Sequence, residues 1–148
     1  MTAWLLMLMA LVAGAALASQ AAINAVLAGG AGNALWASAI SFFVGLLALV
    51  LAGLVVRAPW PATAGLTALP WWAWTGGALG ALYVASAIVV VPKLGAATLI
   101  ALVVAGQMLS ALLLDHFGAL GLPEQSITIW RLLGACMLIG GVVLIRGL

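Results

Sequence analysis

The strongly polar side chains that could do chemistry in this sequence are few, and they recur at helical spacings. Gln20 and Asn24 lie four residues apart and Gln107 and Ser110 three apart, so each pair falls on one face of a helix. Their carboxamides and hydroxyl give and receive hydrogen bonds without carrying charge. That is the chemistry of holding a neutral or zwitterionic solute, or of fastening one helix to another. Ser41 and Tyr83 add donors and acceptors of the same kind, with Ser38, Ser86 and Thr98 as lesser ones, and Trp36 offers an aromatic face. A second group is ionisable: Asp115 adjoins His116, Arg131 opens a later apolar run, and Lys93 follows Pro92. Asp115 falls at the C-terminal end of an apolar run, where a helix dipole disfavours an anion. An ion pair or protonatable cluster with Arg131 and His116 is one reading, and a solvated interfacial carboxylate is the other. Lys93 belongs either to such a gating set or to the side chains that snorkel to headgroups.

Catalytic constellations are missing. The sequence has no His or Cys cluster with metal-ligand spacing, no paired carboxylates within apolar runs, no phosphate-cradling loop before a Lys and no serine beside a base. Neither an enzyme nor a metal or cofactor is expected. The four cations are scattered rather than massed, so nucleic acid is not an expected partner.

The elements that must position these residues follow from composition. Of 148 residues, 68% are hydrophobic and 4% charged, against roughly 25% charged in ordinary soluble domains. The first 56 residues carry no charge. A bilayer-spanning helix needs about 20 mostly apolar residues, and five such stretches are present, predicted at residues 3–27, 34–56, 71–91, 96–114 and 129–145. The expected fold is therefore all-α and polytopic, one transmembrane domain over residues 1–148. The glycine-rich segment at 29–33 is expected to end the first helix, Arg57 and the Pro59-Trp60-Pro61 triplet the second, and Pro92 with Lys93 and Gly95 the third. Ala16-Leu17-Ala18 imitates a signal-peptide cleavage site, but no basic segment precedes it and the apolar run continues to Leu27, so a spanning helix is expected. Cys136, the single cysteine, reads as a small apolar residue.

An odd number of spans puts the termini on opposite sides of the membrane. The long connections, 57–70 and 115–128, then share the N-terminal side with six of the seven tryptophans, as an interfacial aromatic belt would. The cations divide evenly: Arg57 and Arg131 on that side, Lys93 and Arg146 on the other. Because Lys/Arg bias fixes orientation, an even count predicts insertion both ways round, the alternative being that the amino terminus or translocation kinetics selects one orientation. Small residues four apart, such as Ala10, Gly14, Ala18 and Ala22, suit close helix packing.

Several of these segments together resemble a known family. They are Gln20 and Asn24, Ser41-Phe42 with Gly45, Trp71-Trp72, the hairpin Pro92-Lys93-Leu94-Gly95-Ala96-Ala97-Thr98, Gln107, Leu114-Asp115-His116-Phe117-Gly118, and Arg131 with Gly134. The chain is similar across its length to the short, five-helix YdcZ-like proteins of the drug/metabolite transporter superfamily. The resemblance implies a multi-pass protein of the bacterial inner membrane and one half of a ten-helix, inverted-repeat transporter. In inverted-repeat transporters the solute site lies at the repeat interface near the midplane. A single repeat then needs an oppositely inserted partner, which an evenly charged chain supplies as an antiparallel homodimer. A different, oppositely inserted paralogue is the alternative, and a non-transporting assembly subunit a third reading. Four-helix multidrug exporters of that superfamily use a first-helix glutamate to exchange protons for cations. This sequence has no acid before Asp115, so its expected substrate is a small neutral or zwitterionic metabolite. Gln20, Asn24, Trp36, Ser41, Tyr83, Gln107 and Ser110 are the expected substrate contacts, and Asp115, His116, Arg131 and Lys93 the expected ion-pair or gating set.

Overall fold

A computed structural model describes residues 2–147. The helices are α1 (Ala3–Ala31), α2 (Ala34–Val55), a short α3 (Thr63–Thr67), α4 (Gly76–Leu94), α5 (Ala96–His116) and α6 (Ile129–Arg146). A 3-10 turn, Trp71–Thr75, leads directly into α4, and together they make one apolar span. Among the described residues, five helices are long and apolar enough to cross a membrane. The chain forms two compact units, Met1–Pro92 and Lys93–Leu148.

The first unit starts with a 29-residue helix, about 43 Å long at 1.5 Å per residue and so longer than the roughly 30 Å hydrocarbon layer requires. It continues through Gly29, Gly30 and Ala31, where the sequence predicts a turn. In hydrocarbon an unmade backbone hydrogen bond is costlier than glycine's entropy, so helix persists until the backbone can reverse. That happens at Gly32, with φ 68° and ψ −2°. Asn33 is extended and caps α2, its side chain accepting from the Leu35 N–H at 2.7 Å.

α1 and α2 pack as an antiparallel hairpin, and Val84 and Ile88 of α4 pack against Ala37 of α2. The core is Ala37, Val84 and Ile88, with Leu27, Ala28, Ala31, Ala34 and Tyr83 against it. Alanines at the α1–α2 seam let the backbones approach closely, which is how helices gain packing energy when surrounding lipid is as apolar as they are. At Gly80 of α4 a Cβ would lie 3.4 Å from the Phe42 ring, so the missing side chain leaves room for that ring. The far end of α2 closes through Arg57 N–H to Leu54 C=O at 3.2 Å and Ala58 N–H to Gly53 C=O at 2.9 Å, with Arg57 left-handed at φ 53°. This is a Schellman cap.

Pro92 does not end α4; the helix runs on to Leu94. Proline's missing N–H forfeits one bond near a helix end, a smaller loss than exposing several carbonyls to lipid. The helix breaks at Gly95, with φ 81° and ψ 157°. In the second unit α5 and α6 pack together, burying Leu112 and Ala135. Elsewhere both units expose large apolar side chains, among them Trp4, Leu11, Val26 and Leu144. Such surface belongs against lipid.

Candidate functional site

In the first unit the helical stripe carrying Gln20 and Asn24 straddles the edge of the α1–α2 contact. Asn24 is buried, 3% exposed, and its Nδ2 has no hydrogen-bond partner among the described residues. Gln20, one turn earlier, is exposed and lines an open pocket of about 350 Å³ with Ser41, Phe42, Gly45, Leu46 and Leu49. The structure thus brings Gln20 and Ser41 together and turns Asn24 inward. Ser38 is buried but bonded to its own helix, Oγ to Ala34 C=O at 2.8 Å, the self-satisfaction that hydroxyls achieve in helices. The Tyr83 hydroxyl is buried without a partner among the described residues. Trp36 is exposed on the first turn of α2 and lines none of these pockets.

In the second unit Gln107 and Ser110 are exposed on α5. The ionisable residues are more tightly organised. Arg131 donates through Nη2 to Asp115 Oδ2 in an ion pair and through Nη1 to the Gln125 carbonyl at 3.1 Å. The Gln125 N–H in turn donates to the Asp115 carbonyl at 2.7 Å. Thr128 caps α6, its Oγ1 accepting from the Arg131 N–H at 3.3 Å. One arginine and one aspartate therefore tie the end of α5, the loop 117–128 and the start of α6 into a clasp. Gln125 enters through its backbone, so its side-chain type carried no signal of the role.

An apolar groove of about 340 Å³ opens beside the clasp, lined by Met108, Leu112 and Leu138 as well as the ion pair. His116 stays outside the pair; its ring meets Phe117 edge-on with centroids 4.9 Å apart, and its Nδ1 is buried without a partner among the described residues. Lys93 is exposed in the last turn of α4. Cys136 is exposed. No group of three or more His, Cys, Asp or Glu that could hold a metal occurs among the described residues.

The five helices among the described residues that are long and apolar enough to cross a membrane define a multi-pass helical membrane protein. Residues 5–144 match the family described as "Putative inner membrane exporter, YdcZ", and the chain belongs to that inner-membrane family. Over 80 residues it is 34% identical to the inner membrane protein YdcZ of Escherichia coli (strain K12). That stretch covers 54% of this chain and 53% of the relative, so the match spans about half the relative's length. No solved structure matches the chain.

Proposed function

We propose that this protein transports a small neutral or zwitterionic polar solute across the inner membrane as an antiparallel homodimer, its two copies inserted in opposite orientations. The observation that carries the reading is an odd number of spanning helices, five, in a member of a family described as exporters. One such repeat lacks the inverted mate that alternating access uses. The even division of Arg57 and Arg131 against Lys93 and Arg146 lets the same gene product provide that mate. Gln20, Asn24, Trp36, Ser41 and Tyr83 of the first unit, and Gln107 and Ser110 of the second, are the side chains assigned to the solute. Asp115 with Arg131 is assigned to gating, together with the adjacent His116 and with Lys93.

The test pairs topology with flux. Single cysteines at Gly30 or Gly65, in a Cys136→Ala background, would meet open space. Each is expected to be labelled by an impermeant maleimide from both sides of the membrane, and liposomes holding this protein alone are expected to take up solute. Labelling from one side only would remove the homodimer. Flux that appears only when an oppositely inserted paralogue is added would assign a heterodimer, and no flux in either case would leave an assembly subunit.

A further inference from the structure

Two hydrogen-bond donors in the first unit are buried and unspent. Asn24 Nδ2 and the Tyr83 hydroxyl have no partner among the described residues. Within hydrocarbon no water can compensate, and an unmet donor there costs several kcal/mol. Ser38 donates to its own helix, Oγ to Ala34 C=O at 2.8 Å, and no group among the described residues accepts from either orphan. Tyr83 packs against the Ala37, Val84 and Ile88 cluster that Ala28 also covers. Asn24 precedes Ala28 by one helical turn, about 5–6 Å along α1. Charge decides what can enter. Between Met1 and Pro92 the only formally charged side chain is Arg57, beyond the end of α2. Neither a carboxylate nor an ammonium would find a counter-ion beside Asn24.

We propose that Asn24 and Tyr83 form a subsite for an uncharged solute that presents an amide carbonyl, a reading that rests on the transporter assignment above and narrows its substrate class. A carboxamide carries N–H donors beside an acceptor, so a cis amide, as in a lactam or cyclic dipeptide, meets Asn24 edge to edge with two hydrogen bonds. A second carbonyl on the same solute then accepts from Tyr83.

Tyr83 is the only tyrosine in the chain, so 3-fluorotyrosine incorporation places a single fluorine at the subsite. The experiment titrates the purified, labelled protein with 2,5-diketopiperazine, a neutral ring with two cis amides, and separately with piperazinium, a cationic ring without carbonyls. The expected result is a saturable fluorine shift with diketopiperazine and none with piperazinium. Asn24→Ala should weaken the diketopiperazine titration by about tenfold or more, since it removes both hydrogen bonds of the amide pair. Its thermal midpoint without ligand should be unchanged or higher, because deleting an orphaned donor removes a desolvation penalty. A lowered midpoint or a misfolded Asn24→Ala would make Asn24 a structural hydrogen bonder and overturn the proposal. So would an equal response to piperazinium, or a diketopiperazine shift that survives the substitution. Absence of any shift in a protein that still carries solute into liposomes would overturn the subsite and leave transport standing. A specific shift without flux would support the subsite and remove the transporter reading.

Discussion

At the scale of single residues, membrane depth makes each carboxamide informative, because hydrocarbon cannot satisfy its hydrogen-bonding capacity. Gln107 is exposed near the middle of α5, and the proposed function gives its amide either solute or a second copy as its partner. If it binds solute, Gln107→Leu will abolish flux or raise the half-saturating concentration while leaving the dimer intact. If it fastens copies together, the same change will weaken dimerisation by about 0.6–2 kcal/mol, the worth of such bonds in membranes. Assembly and flux measured on one Gln107→Leu preparation separate the two, and we expect lost flux in an intact dimer. The spacing of Gln20 and Asn24 was legible in the sequence, but their divergence was not. Which edge of a helical stripe is buried depends on the rotation of α1 against α2, and alanines on nearly every side of α1 leave that rotation unmarked. Asp115 had two readings for a related reason. Its pairing with Arg131 needs the loop 117–128 to fold back, and that fold-back is held by backbone groups of Gln125 rather than by a sequence motif.

At the scale of elements, the apolar runs fixed where helices form, while their ends followed the rule that hydrocarbon prolongs a helix past glycine and proline until backbone reversal is available. Gly32 and Gly95 break the helices, and they are not equivalent. Gly32, at φ 68° and ψ −2°, sits near the left-handed region that other residues enter at a modest cost. Gly95, at φ 81° and ψ 157°, occupies a region essentially reserved for glycine. A Cβ would meet open space at both positions, so backbone conformation alone separates them. Gly95→Ala is therefore expected to destabilise the protein by about 1–3 kcal/mol and Gly32→Ala by less, as thermal unfolding in detergent will show. The clasp yields a second expectation. Arg131→Lys keeps the cation count, and hence the orientation signal, but an ammonium lacks the planar fork that reaches Asp115 and the Gln125 carbonyl together. The pair is partly exposed, with side chains 31% and 26% accessible, so the loss should be modest, about 1 kcal/mol. Its signature is local: amide exchange at Gln125 should accelerate while exchange in the middle of α2 stays unchanged.

At the scale of the whole molecule, the proposed function depends on the chain's indifference to orientation. On the proposed reading two cations against two leave insertion undecided, and a five-helix repeat whose inverted mate is itself can be active only if both insertions occur. The balance can be tipped without touching the polar residues assigned to solute. Ala62 and Ala68 are exposed in the connection between α2 and α4, so Ala62→Lys with Ala68→Lys raises the N-terminal side to four cations against two. Positive charge in short connections stays cytoplasmic, and this double variant should insert with its N-terminus inside. Gly29→Lys with Gly30→Lys reverses the bias at positions where a side chain meets open space, and it should insert with its N-terminus outside. Each variant alone is expected to fold, reach the membrane and carry no solute, because every copy faces the same way. Co-expressed, they should restore flux toward the wild-type level, with cysteine labelling that assigns one orientation to each. Full activity from either variant alone, once its single orientation is verified by labelling, would show that one inserted direction suffices and would remove the antiparallel pair from the mechanism.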